Sequence, residues 1–296
     1  MGYRLKAGEP VEVGLRRVAA DQIERALAEI DDEDLGPHDT VHRVRKRCKK
    51  LRGLLRLVRP ALSGGTWKRE NAALRDAQGS LSDLRDAEVR VETFDALLDD
   101  ARDAFDDEAA RLVGSALRER RRRERNGGPR ASRPGGAVDG VGGRLVRFRA
   151  SLERVDERAE RWSLAERGFD AVRDGAVKTC RRARRAMVEA QADGSDEAFH
   201  EWRKRVKYHG HHVRLLRETW SSATEARRRS VDRLARLLGD EHDLAVLRQH
   251  LLDHPVRGID APTAEAVHGL IAARRARLRR EALLLGLRLF AEPSEA

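Results

Sequence analysis

Residues 41–58 (VHRVRKRCKKLRGLLRLV) return 158 positions later as residues 199–216 (FHEWRKRVKYHGHHVRLL). His42 falls on His200, Arg45 on Arg203, Lys46 on Lys204, Lys49 on Lys207 and Arg56 on Arg214. A second pair of blocks follows in the same order: LSDLRDAEV from Leu81 matches LGDEHDLAV from Leu238, at an offset of 157. Two ordered matches at nearly one offset identify a duplicated unit. One supersecondary design therefore has to bury its apolar face twice within this 296-residue chain.

That design is helical. Val41, Val44, Cys48, Leu51, Leu55 and Val58 recur at steps of three and four, so they share one stripe of a rod. Their equivalents are Phe199, Trp202, Val206, His209, Val213 and Leu216. The other face of the first rod carries His42, Arg45, Lys46, Lys49, Arg52 and Arg56. In the second it carries His200, Arg203, Lys204, Lys207, His211 and Arg214. Each rod has an oily side and a cationic side.

Helical spacing continues along most of the chain, and no stretch alternates convincingly at period two, which predicts an all-α fold. Helices are expected near residues 11–30, 40–59 (with Asp39 as N-cap), 66–84 and 86–125, then 144–165, 169–192, 196–219, 224–238, 240–252 and 262–290. Between the two groups, residues 126–143 hold seven glycines and two prolines, a composition that cannot sustain a helix and predicts a flexible connector. The expected organisation is a first helical repeat over 1–125, a linker over 126–143 and a second repeat over 144–296. The two bundles would be related by pseudo-two-fold symmetry.

Charge sharpens the functional reading. The chain holds 61 Lys and Arg against 50 Asp and Glu, a formal net charge of +11. Residues 41–59 contain nine Lys and Arg and no acid, and residues 199–217 contain six against one Glu. These two segments carry +14 together, so everything else sums to −3. Like charges one helical turn apart cost roughly 0.2–0.5 kcal/mol per pair, more when desolvated in a groove. A bound polyanion is the simplest compensation, with bidentate Arg contacts and Lys point charges gripping phosphate. His42 and His200 would add N–H donors that strengthen on protonation near pH 6. The N-terminus lacks the apolar run of a signal peptide, no apolar stretch approaches about 18 residues, and Cys48 and Cys180 stand isolated. These features predict a cytoplasmic protein without membrane partners.

The paired signatures HRVRKRCKKLR with LSDLRDAEV, and HEWRKRVKYH with LGDEHDLAV, resemble the CHAD family, named for conserved histidines on an α-helical domain. The resemblance covers about residues 2–290, including the opening GYRLKAGE typical of stand-alone members. It implies two similar bundles lining a central basic groove or pore, binding of inorganic polyphosphate, and association with polyphosphate granules. It also implies that the matched His, Arg and Lys positions line that groove. Two departures stand out: His209 replaces the aliphatic residue expected at the Leu51 position, and Gly210 stands where Arg52 would, so the second helix is expected to bend or bind differently near its middle. Some members carry a triphosphate-tunnel catalytic domain, but no E-x-E-x-K run opens this chain.

The same residues allow competing readings. Nucleic acid is also a phosphate polymer, but base readers add aromatic stacking platforms, and Tyr208 is the only aromatic near the basic face. A polyphosphate-processing enzyme would need catalytic machinery, and the sequence has no GxSxG, no Walker loop and no plausible Cys–His pair. His38 with His42, and the cluster His209, His211 and His212, invite a metal reading, but no HExxH occurs and nothing in the sequence brings carboxylates to them. Asp83, Asp86, Asp240 and Asp243 are expected to cap helices or pair with Arg rather than hold ions. The basic runs from Arg118 to Arg125 and from Arg274 to Arg280 read as solvated faces. The expectation is non-catalytic binding, without cofactor or metal.

Overall fold

The computed structural model describes residues 2–100, 107–125, 140–218 and 223–291, with side chains at all of these except 82–85, 125, 223 and 224. Ten α-helices occupy the described residues: α1 (Val11–Asp31), α2 (Pro37–Leu57), α3 (Thr66–Gly79), α4 (Ser82–Asp100), α5 (Asp107–Arg125), α6 (Val141–Ala159), α7 (Asp170–Asp193), α8 (Asp196–Leu215), α9 (Ala223–Asp253) and α10 (Ala261–Leu289). The described residues contain no strand, only an isolated bridge between Leu62 and Leu164. None of these helices is long and apolar enough to cross a membrane.

Local chemistry sets the helix ends. Pro37 opens α2, where its missing N–H costs nothing, so Asp39 lies inside the first turn rather than at the N-cap. At the start of α8 the Ser195 hydroxyl accepts from Ala198 N–H at 3.2 Å, and Asp196 and Glu197 complement the helix dipole. Gly194, at φ 71°, ends α7 in the left-handed conformation that a non-glycine residue adopts only with strain. Several boundaries differ from the sequence expectation, among them the single helix expected over 86–125, which is two helices, α4 and α5. The helix expected to run on from Thr66 stops at Gly79, and α9 continues through Gly239 and Asp240 as one rod where two were expected. The connector's last three residues, 141–143, already belong to α6, while residues 126–139 lie outside the described residues.

Three apolar clusters form the interior, and they do not divide at the connector. Leu15, Val18 and Ile23 of α1 pack with Val44, Leu51 and Leu55 of α2, Leu74 of α3, and Phe148, Leu152 and Val155 of α6. Met187 of α7 packs with Phe199, Trp202 and Val206 of α8, Val231 and Leu234 of α9, and Ala282 of α10. The third cluster joins Phe94 and Leu97 of α4 and Val113 of α5 to Leu247 of α9 and Ile271 of α10. So α6 helps close the first bundle, whereas α4 and α5 lie against helices from the second half. Both amphipathic stripes behave as the spacing predicts: all twelve positions, His209 included, are buried.

Two buried carboxylates tie helices together. Glu70 of α3 is fully buried and takes two bonds from Arg158 of α6, both at 2.8 Å, and one from Arg69. Glu241 of α9 accepts from Arg275 and Arg279 of α10, which also reach Asp196 at the head of α8. The basic run at Arg274 is therefore not a wholly solvated face, because Arg275 is buried in this network. The run from Arg118 conforms better: Arg118 pairs with Asp95 at 2.7 Å and Arg123 with Glu119 at 3.0 Å, both partly or fully exposed.

Candidate functional site

Helices α2 and α8 meet at glycine. A Cβ on Gly53 would lie 2.8 Å from Cβ of His211, so only glycine admits α8 this close. The Gly53 carbonyl is 3.1 Å from Nε2 of buried His212, whose imidazole is pushed down to about 3 by burial. On the far side of α8, Gly210 lets α9 approach, since its Cβ would stand 3.2 Å from Val231. Gly210 thus replaces a cation with a packing contact, and α8 runs unbroken through it. His209 likewise takes an aliphatic role, buried with its ring 5.9 Å from Phe290.

This crossing turns both cationic faces towards one cavity of about 980 Å³. From α2 it is lined by His42, Arg45, Lys46, Lys49, Arg52 and Arg56. From α8 it is lined by Arg203, Lys204, Lys207, His211 and Arg214. Of the twelve predicted residues, only His200 is not in the wall, and its Nδ1 lies 3.2 Å from Nδ1 of His242, which is. Eleven Lys and Arg and three Asp line the space, a net of +8 with histidines neutral.

Burial and crowding govern these cations. Lys207 is pushed down to about 7, first by burial and then by Arg203 and Lys49, with Asp243 opposing. Burial also lowers Arg203 and Arg56, but a guanidinium stays charged. His242 falls to about 3 through burial, helped by Arg203 and His200, and His200 is lowered mainly by burial. The protein's own acids neutralise part of the wall. Asp232 takes Arg214 at 2.5 Å, Asp243 stands 3.7 Å from Arg203, and Glu201 pairs with Lys204 and Arg205. On the α2 side, Arg45 donates to the Gln78 carbonyl at 2.9 Å, and Arg52 to Asn71 at 3.2 Å. The Nε atoms of Arg56 and Arg203 are buried without a hydrogen-bond acceptor among the described residues.

Tertiary structure adds lining residues beyond the twelve predicted. His242, Arg236 and Asp232 come from α9, Asp86 from α4 and Gln78 from α3. The second repeated block held the signal for His242 and Asp86. Arg205 lines the cavity, whereas its counterpart Arg47 turns to Glu29 of α1 at 2.6 Å. Asp86, Asp240 and Asp243 lie inside helices and cap none, and Asp243 pairs with Arg203. Asp83 falls outside the described side chains. Tyr208 packs under Arg56, with the guanidinium 4.0 Å from its ring centre. The carboxylates missing around His38 in the sequence arrive from α4, where Glu88 and Glu92 stand 3.9 and 3.8 Å from its ring nitrogens.

The profile of the CHAD domain matches residues 17–252, most of the chain. The chain belongs to the CHAD domain family. Solved structures share its fold, and two of them match nearly end to end. The CHAD domain from the plant Ricinus communis aligns with a TM-score of 0.64 at 15% identity, covering 98% of this chain and 94% of that one. PptA from Streptomyces chartreusis aligns with a TM-score of 0.60 at 16% identity, covering 95% and 98% respectively. Two uncharacterized proteins of Mycobacterium tuberculosis, from strains CDC 1551 and H37Rv, are each 27% identical over 91% of this chain. The chain spans about half the length of these curated relatives, 51% in each.

Proposed function

We propose that this CHAD domain binds inorganic polyphosphate in the α2–α8 cavity without processing it, and that this binding brings it to polyphosphate granules. The observation that carries the reading is the convergence of both repeated cationic faces on one space with a net lining charge of +8. A chain of phosphates, each carrying charge and several acceptor oxygens, complements guanidinium forks and Lys point charges. The cavity favours a phosphate polymer over nucleic acid because Tyr208 is the one Phe, Tyr or Trp among its lining residues, and Arg56 already lies over that ring. The test is a titration of purified protein with long-chain polyphosphate, with DNA and RNA as competitors at matched phosphate concentration. Polyphosphate is expected to persist against a severalfold excess of either. Easy displacement would reverse the ranking, and release of phosphate with a divalent metal present would establish an enzyme instead.

The reading also fixes a pH dependence. Lys207 of α8 faces Lys49 of α2, Arg203 beside it, and Asp243 of α9, and it titrates near 7 in the free protein. A bound polyanion raises that value, so binding takes up a proton above pH 7. Affinity is therefore expected to hold below about pH 7 and to fall by up to roughly tenfold per pH unit above it, until the bound lysine itself deprotonates. Calorimetry in two buffers of different ionisation enthalpy at pH 8 reads the proton uptake directly. The Lys207→Met variant should flatten the profile between pH 7 and 9.

A further inference from the structure

We propose that His38, Glu88 and Glu92 form a site for a divalent transition-metal ion, with Zn²⁺ the ion that best suits these donors. His38 lies in the first turn of α2, and Glu88 and Glu92 are one turn apart on α4, so both carboxylates share a helix face. His38 Nδ1 stands 3.9 Å from Glu88 Oε2, and Nε2 stands 3.8 Å from Glu92 Oε1. One donor atom from each of the three residues can be chosen so that all lie within 4.8 Å of one another. Separations of 3.8–3.9 Å are too long for hydrogen bonds. A single ion takes one of the two ring nitrogens, and donors each about 2.0–2.2 Å from a common metal stand roughly 3–4 Å apart, so the three donors, within 4.8 Å of one another, close on one ion after small side-chain rotations.

A second feature points the same way. Arg121 of α5 donates to Glu88 Oε1 at 2.7 Å, which fixes the carboxylate and leaves Oε2 directed at the imidazole. Metal-binding carboxylates are commonly oriented by such an outer donor. Imidazole selects against Mg²⁺ and Ca²⁺, which prefer all-oxygen shells, and in favour of Zn²⁺ and its first-row neighbours.

Three protein donors leave a tetrahedral ion one open position. His42, one turn after His38, and Val89, next to Glu88, both line the basic cavity. The site thus adjoins the cavity, so a phosphate oxygen bound there could complete the ion's shell. That consequence rests on the polyphosphate reading, whereas the metal site itself does not.

The experiment is calorimetric titration of the metal-stripped full chain with ZnCl₂, and in parallel with MgCl₂, in the absence of any polyanion. One Zn²⁺ site is expected, with Mg²⁺ bound at least tenfold more weakly. His38→Ala and Glu92→Gln should each weaken Zn²⁺ roughly tenfold or more. Both side chains reach solvent, so neither change threatens the core. His250→Ala, which breaks the stacked His250–His254 pair with ring centres 4.7 Å apart, should leave the site unchanged. The proposal is overturned if wild-type protein shows no saturable Zn²⁺ site, if Mg²⁺ binds as well, or if either variant loses less than tenfold. With no polyanion in the cell, failure here leaves the polyphosphate reading standing, and success does not depend on it.

Discussion

Reversing Arg45, Lys49, Arg203 and Lys207 together to glutamate is expected to abolish polyphosphate binding while leaving the far-ultraviolet circular dichroism unchanged. All four line the cavity, two from each repeated helix, so the quadruple change replaces four positive charges with four negative ones inside a single space. A charge-assisted hydrogen bond contributes about 1.5–3 kcal/mol. Four lost contacts, before any repulsion is counted, correspond to more than roughly a ten-thousandfold loss of affinity. Arg203 and Lys207 are partly buried, so Lys46→Glu with Lys204→Glu provides a second variant made at exposed positions of the same wall. That pair should weaken binding by roughly ten- to a hundredfold and lower the slope of log affinity against log salt by one to two. Retained affinity in the quadruple variant would place the polyanion elsewhere on the protein.

The second large effect is on stability. Gly175 of α7 packs directly on the C-terminal end of α2, and a Cβ there would overlap the Leu57 carbonyl oxygen and carbon. The obstacle is backbone, not the tip of a flexible side chain, so the two helices have to separate. Gly175→Ala is expected to destabilise by about 3 kcal/mol, at the upper end of overpacking costs. For a domain of this size that lowers the thermal midpoint by about 6–12 °C. Gly239, inside α9 with nothing within 4 Å of its would-be Cβ, is the control. There alanine removes only the backbone entropy cost of glycine and should stabilise by about 0.5–1 kcal/mol. Midpoints from scanning calorimetry check both. Equal effects at the two positions would contradict the close α2–α7 approach.

These two predictions draw on different kinds of information. The four reversed cations were identifiable in the chain because duplication marks a face twice and helical periodicity separates it from the oily face. The same periodicity placed all twelve stripe residues in the interior. Gly175 carried no such mark. Its meaning depends on a neighbour more than a hundred residues away, and nothing in the local spacing reveals it. Boundaries misjudged by sequence have similar causes. Gly239 and Asp240 look like a break, but packing of α9 against α8, α10 and α4 overrides their poor helix propensity. Asp39 looks like a cap, but Pro37 starts the helix two residues earlier.

The sequence alone determined an all-helical chain, the identity of its two amphipathic rods, and which side of each is oily and which is cationic. These follow from periodicity and composition, which act over a few turns of one helix. Only the tertiary structure decided that the cationic sides share one cavity, that Arg205 faces it while Arg47 turns to Glu29, and that two glutamates from α4 meet His38. Those outcomes depend on the angle at which Gly53 lets α8 cross α2 and on which half of the chain α4 packs against, and contacts between distant segments set both.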